Sequence, residues 1–167
     1  MTVDEFEDLY AATVRRLVGQ VYLLTGDLHE AEEVVQEAFV SGWVRRRSLE
    51  VRHAPEAWVR TVAFRLAVTR FRRRRRGSDA WRRHASGQPA HVSAPGPETM
   101  ALADALQRLP RRQREVLVLY YVCDLSVDQV AAEAGIAAGT VKSHLFRGRS
   151  ALARLWDDSH EEGSRDI

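Results

Sequence analysis

The sequence predicts an all-α protein: two small helical domains joined by a flexible linker, the second containing a helix-turn-helix. Three observations lead there. Apolar residues recur at spacings of three and four through most of the chain, and no sustained alternating strand pattern appears. The stretch from Gly77 to Pro97 is rich in Gly, Ser, Ala, Pro and His and has no periodicity, which marks a linker. Charge is also segregated along the chain, although the net value is only +2. Residues 1–44 hold two arginines against nine acids, residues 45–83 hold fourteen arginines against three acids, and residues 84–167 hold nine basic against eleven acidic residues. Within the last segment, Thr140 to Arg154 carries Lys142, Arg147, Arg149 and Arg154 with no acid. Two basic surfaces suit a polyanion, and one acidic surface suits a basic protein.

The first helix is expected near residues 4–24, with Phe6, Leu9, Tyr10, Leu17, Val21 and Leu24 on one side and Thr25-Gly26 as its stop. Asp27-Leu-His-Glu30 has the form of a capping box and starts a second helix carrying Ala31, Val34, Val35, Ala38 and Phe39. Pro55 suits the first position of a third helix, which runs through Trp58, Val62, Leu66 and Phe71 into the arginines 72–76. This gives a first domain at 1–76 and a linker at 77–97. The second domain, 98–156, begins with helices near 98–109 and 111–122, separated by Pro110. Ser126-Val-Asp-Gln129 is a second capping box, Gly135 ends that short helix, and a last helix is expected from Ala138 to Trp156 with a frayed tail at 157–167.

No run approaches the roughly 18 apolar residues that span a bilayer, so no membrane insertion is expected. The acidic start lacks the basic and apolar regions of a secretory signal, and a cytoplasmic location is expected. Cys123 is the single cysteine, which excludes an internal disulfide and a cysteine metal cluster; it reads as a buried small hydrophobe. No cofactor, metal or catalytic residue is expected.

Two constellations carry function. Ser126 to Leu155 has the layout of a helix-turn-helix, in which Val141, Leu145, Gly148, Leu152 and Leu155 form a packing seam. The opposite face offers Thr140, Lys142, Ser143, Phe146, Arg147 and Arg149 to phosphates and base edges; His144 is expected to point sideways or to touch phosphate. In the second constellation, aromatics are interleaved with arginines between Trp43 and Arg76. Trp58, Arg60, Phe64, Arg65, Arg72 and Arg73 form a candidate surface for unpaired bases, with arginines along a backbone and rings stacked on bases. The same rings also fit a hydrophobic core: Trp58 and Phe71 suit it, and Phe64 suits either role equally.

The runs Phe6-Glu-Asp-Leu-Tyr10, Gly26-Asp27, Glu30-Ala-Glu-Glu-Val-Val-Gln-Glu-Ala-Phe39 and Pro55-Glu-Ala-Trp-Val-Arg-Thr-Val-Ala63 resemble the promoter-melting domain of one family. Leu109-Pro-Arg-Arg-Gln-Arg-Glu-Val-Leu117 and Gly139-Thr-Val-Lys-Ser-His-Leu-Phe-Arg-Gly-Arg149 resemble its domain that reads the minus-thirty-five element. The family that these runs resemble is the bacterial RNA polymerase sigma factors of the extracytoplasmic-function (ECF) group, and an actinobacterial type is expected. The resemblance implies that Asp27, Val34, Val35, Gln36, Glu37 and Phe39 face the clamp coiled coil of core RNA polymerase. It further implies contact with the polymerase flap region, a linker threading toward the active-site cleft and RNA exit path, promoter DNA as ligand, and an anti-sigma factor as partner. Where the family commonly has Asn lining a pocket for a flipped promoter base, this chain has Arg65.

Two rival readings remain at this level. A free-standing helix-turn-helix regulator would bind duplex DNA without polymerase, but it leaves the acidic 34–39 face and the interleaved aromatics unused. A small helical ribonuclease would use Arg47 and His53, a short and common spacing with no second acid-base partner.

Overall fold

The computed structural model describes residues 1–49, 54–75 and 94–165, and among these it contains helices and no strand. The chain divides into two compact units, Met1–Ala94 and Pro95–Ile167. Most of the expected linker, and His53 of the ribonuclease reading, lie outside the described residues.

The first unit holds α1 (Val3–Thr25), α2 (Leu28–Val44), the short α3 (Arg46–Leu49) and α4 (Pro55–Arg75). α1 opens with a capping box in which Glu5 N–H donates to Thr2 Oγ1 and Thr2 N–H donates to Glu5 Oε2 at 2.7 Å. These bonds favour the ionised carboxylate and hold the Glu5 pKa below its ordinary value. Gly26, at φ 70°, closes α1 with its N–H on Tyr22 O. Only half of the second expected box forms: Asp27 Oδ1 accepts from Glu30 N–H, while Asp27 N–H turns to Thr25 Oγ1.

The core of this unit is built where the helices meet. Leu17, Val21, Ala31, Val34, Val35, Ala38, Val59 and Ala63 are fully buried. Phe6 and Tyr10 of α1 meet Phe39 edge-on, with centroids 6.1 and 4.8 Å away, and Phe6 meets Trp43 at 5.3 Å. Such pairs contribute roughly 0.5–1.5 kcal/mol beyond their buried area. Gly42 lies in the same region; a Cβ there would stand 3.5–3.7 Å from Phe6, Trp58 and Leu49. α3 falls in a segment for which no helix is expected, and its Leu49 is buried.

The second unit holds α5 (Pro97–Gln107), α6 (Arg111–Leu117), a π-helical segment (Val118–Val122), α7 (Val127–Ala134) and α8 (Ala138–Arg165). Pro97 belongs to the first turn of α5 rather than to the linker. The helix expected over 111–122 widens to π geometry at Val118, where Cys123 N–H reaches Val118 O at 3.0 Å and Leu125 N–H reaches Leu119 O at 3.2 Å. Asp124 follows at φ 56°, in the left-handed region. Cys123 is buried as expected. The Ser126–Gln129 box is complete, with Ser126 N–H on Gln129 Oε1 and Gln129 N–H on Ser126 Oγ, and Gly135 at φ 68° ends α7.

α8 runs beyond the expected end at Trp156. The Trp156 and His160 rings lie 4.7 Å apart, four residues along one helix face, and Ser159 Oγ donates to Trp156 O, so the acidic end stays helical. Val141, Leu145 and Gly148 of α8 are buried, and a Cβ on Gly148 would stand 3.0 Å from Leu117 Cδ1 and 3.4 Å from Gln113 Cβ.

Gly148→Val should therefore lower stability by about 1–3 kcal/mol, because Leu117 is itself buried and has little room to yield. Gly19→Ala, in α1 with nothing within 4 Å of the added methyl, should gain up to about 1 kcal/mol of helix propensity. Thermal unfolding of the two variants should move in opposite directions; an unchanged midpoint for Gly148→Val would show that the α6–α8 contact is loose.

Candidate functional site

α8 separates its faces as a base-reading helix requires. With Val141, Leu145 and Gly148 turned inward, Thr140, Lys142, Ser143, Phe146, Arg147 and Arg149 are all exposed, and Phe146 is 67% exposed. An aromatic this open, flanked by cations, has no packing role within its own unit. Ser143 Oγ donates to Gly139 O, and Arg149 Nη1 donates to Tyr121 OH at 3.0 Å. That bond draws Arg149 away from Arg147 and toward a groove of about 710 Å³ lined by Leu102, Leu106, Leu117, Val118 and Trp156, with Arg149 and Asp157 among its polar members. His144 is half-buried and its Nδ1 is enclosed without a hydrogen-bond partner among the described residues. Burial, and then the charges of Arg112 and Arg147, hold its pKa below the ordinary histidine value.

α4 brings together only part of the expected single-strand surface. Its inward stripe is Val59, Ala63 and Ala67, and Phe64 beside them is only 4% exposed. Phe64 is therefore a core residue, which corrects its expected role as a base-stacking ring: removing its large apolar ring from water outweighs its place among arginines. Trp58 is half-buried, with Cζ3 3.6 Å from where a Gly42 Cβ would lie. Arg60 is half-buried, Arg65 and Arg73 are exposed, and the Arg72 side chain lies outside those described.

On α2 the expected docking set divides. Val34, Val35 and Phe39 are at most 4% exposed, Val34 and Val35 in the core and Phe39 against Phe6 and Tyr10, so these three offer nothing to an outside partner. Asp27 is exposed as the α2 cap, and Gln36 and Glu37 are exposed. Val40 and Val44, 62% and 76% exposed, continue their face at helical spacing. Trp43 carries the Arg46 guanidinium 4.2 Å from its ring centroid.

Sequence reasoning missed Arg70. From α4 it donates to Glu33 Oε2 at 3.1 Å and to Glu37 Oε2 at 2.5 Å, while His29 Nε2 lies 3.3 Å from Glu33. Nothing in a run of arginines marks the one that will meet acids more than thirty residues earlier.

Residues 9–77 match the Sigma-70 region 2 family and residues 99–152 match Sigma-70, region 4. The ECF RNA polymerase sigma factor EcfG of Rhodopseudomonas palustris is 32% identical over 98% of this chain and 92% of its own length. The chain belongs to the ECF RNA polymerase sigma factors. SigW of Bacillus subtilis is 29% identical over 93% of this chain and 90% of its own, and SigL of Mycobacterium tuberculosis is 35% identical over 77% and 76%. These organisms are diverse, so the likeness supports the ECF group more than an actinobacterial subtype. Among solved structures, the sigma factor RpoE of Bartonella quintana in complex with the anti-sigma factor NepR covers 93% of this chain and 98% of its own at 25% identity, with a TM-score of 0.73. CnrH, at 22% identity and a TM-score of 0.61, shares the fold. As an ECF sigma factor the chain directs promoter-specific initiation of transcription by RNA polymerase; a free-standing regulator does not account for the paired region 2 and region 4 matches. The relatives are sigma factors, which are not enzymes. Among the described residues no helix is long and apolar enough to cross a membrane.

The lowered His144 pKa has a sign. The folded state favours the neutral ring, so this contribution to stability is complete above about pH 6.5 and drains away as pH falls toward the lowered folded value. Between about pH 7.5 and about pH 5.5, wild type should lose more unfolding temperature than His144→Gln. Equal losses would mean that His144 titrates like a free side chain.

Proposed function

We propose that this sigma factor divides promoter recognition between its two units. The exposed face of α8 reads the duplex upstream element, the exposed arginines of α4 follow the melted downstream strand, and α2 docks on core polymerase. The observation that carries the reading is the partition of α8, with Val141, Leu145 and Gly148 inside and Lys142, Phe146 and Arg147 outside a capped helix-turn-helix. Run-off transcription with core polymerase on a promoter pool tests it: products should require polymerase and chain together, and should share sequence at both elements.

On α4, Arg65 stands exposed beside buried Phe64. A guanidinium has only donors in a planar fork, so contact with an unpaired base favours acceptor-rich edges such as guanine O6 and N7. Arg60 and Arg73 supply backbone neutralisation. On α2 the docking face is Gln36, Glu37, Val40 and Val44, with Asp27 at the helix start; Glu37, shared with Arg70 yet half-exposed, faces a basic coiled coil, and the two valines supply apolar area. The groove between α5, the π segment and α8 fits an apolar segment of the polymerase flap region, since an open apolar concavity of this size calls for a cover. An anti-sigma factor, as held by the Bartonella relative, would silence the chain by covering such surfaces. Partners of this kind place the protein in the cytoplasm.

Arg147 and Lys142 should separate in function. Arg147→Ala should flatten base preference within the upstream element by about 1–3 kcal/mol, whereas Lys142→Ala should weaken every promoter alike and lower the salt slope by about 1. Binding measured on a panel of upstream variants decides; equal loss on all of them for Arg147→Ala refutes the assignment. At the docking face, Glu37→Arg and Val40→Glu should each weaken holoenzyme formation roughly tenfold or more. Val40 is exposed and has no core role, so assembly at wild-type affinity by both variants would move the docking surface elsewhere.

A further inference from the structure

α6 touches both halves of the helix-turn-helix. It meets α8 at Gly148 through Leu117 and Gln113, and it reaches the end of α7 through the side chain of Arg112. Arg112 Nη1 donates to Ala134 O at 2.8 Å and lies 3.4 Å from Glu115 Oε2. Ala134 is the last residue of α7, and its carbonyl is among those that a helix end leaves without an intrahelical donor. A guanidinium at that point supplies the bond and complements the negative end of the helix. The next residue is Gly135, where the chain turns left-handed toward α8, so the bond grips the pivot of the motif.

The guanidinium is itself held from behind. The Glu115 side chain is 6% exposed and accepts from Arg111 Nη1 at 3.2 Å as well as from Arg112. A buried carboxylate in a low dielectric holds its donors strongly and limits the directions open to them. Arg112 also lies close enough to His144 on α8 for its charge to oppose protonation of that ring. It therefore stands near the end of α7 and the first turns of α8 at once.

We propose that Arg112 is a positioning residue for upstream-element recognition: anchored on buried Glu115, it pins the C-terminal carbonyl of α7 and so sets the angle at which α8 presents Phe146 and Arg147. The inference rests on the reading of α8 as the duplex-reading helix. Geometry gives the bond leverage. Arg147 lies nine residues beyond Ala138, about 13 Å along the helix axis, so a tilt of about 5° at the turn moves it by about 1 Å. Base-reading side chains tolerate roughly 0.5 Å of misplacement.

The test uses holoenzyme on a promoter panel in which each upstream base is varied, with affinity, salt slope and unfolding temperature measured for wild type, Arg112→Lys, Arg112→Ala and Glu115→Gln. Discrimination is a ratio within one preparation, so a partly unfolded variant leaves it unchanged. Arg112→Ala should reduce discrimination between the best and worst upstream variants about tenfold with an unchanged salt slope. Arg112→Lys should not restore it, because a shorter side chain ending in a rotating ammonium does not place a donor where Nη1 meets both Ala134 O and Glu115 Oε2. Glu115→Gln should move discrimination the same way, although its buried side chain cannot touch DNA. Uniform weakening on all promoters, with a slope lower by about 1 and recovery by lysine, would make Arg112 a phosphate contact and overturn the proposal. Wild-type discrimination with only a lower unfolding temperature would make it a structural tie and overturn it equally. A wild-type holoenzyme indifferent to the upstream bases would instead remove the reading of α8 itself.

Discussion

The close approach of α8 to α6 at Gly148 is the contact on which the DNA-reading unit depends. Backbone and Leu117 come so near that no side chain fits between them without displacement, and Val141 and Leu145 of the same helix are buried. Each such burial contributes roughly 1.5–3 kcal/mol, far more than any exposed polar contact of this helix. Once that face is committed, the rotation of α8 about its own axis is no longer free. Lys142, Phe146 and Arg147 then face outward as a geometric consequence, whatever their individual preferences. A helix with the same cations and no such seam would present them at random.

Electrostatics works differently here. Exposed ion pairs such as Arg16 with Glu56, or Arg70 with Glu33, contribute about 0–1 kcal/mol each and do not hold the fold together. Their value lies in direction. Arg70 leaves α4 and ends between two carboxylates of α2, so the helix with the arginine run and the acidic helix are joined by charge as well as by core packing. The Glu37 carboxylate thereby has a stated orientation before any partner arrives. Glu115 does the same for Arg112 from a buried position, with Arg111 as its second donor.

The surfaces assigned to partners share one physical character: each is apolar area that the unit has not buried, beside exposed charged side chains. Phe146 lies between cations on α8, Val40 and Val44 lie beyond Glu37 on α2, and the groove at Trp156 is edged by Arg149 and Asp157. A subunit whose work is to be covered by polymerase and DNA leaves such areas open in the free state.

The sequence by itself determined the helical class, the division into two domains, the capping box at Ser126, the stops at Gly26 and Gly135, and the open face of α8 with the Val141, Leu145 and Gly148 part of its seam, Leu152 and Leu155 being only half-buried; the caps, stops and faces are written in residues within a few turns of one another. Periodicity, caps and left-handed glycines are local chemistry. What it could not determine is which apolar residues of an already apolar helix face a neighbour. Val34, Val35 and Phe39 lie in a motif shared with a docking surface, yet α1 and α4 close over Val34 and Val35, and Phe6 and Tyr10 over Phe39. Phe64 sits among arginines and is still drawn inward, beside buried Ala63 and Ala67. Arg70 meeting Glu37, and Arg112 meeting Ala134, span 33 and 22 residues, and no local pattern encodes them. Only the packing of whole helices decides such contacts, since burial is a property of the space between elements and not of any single one.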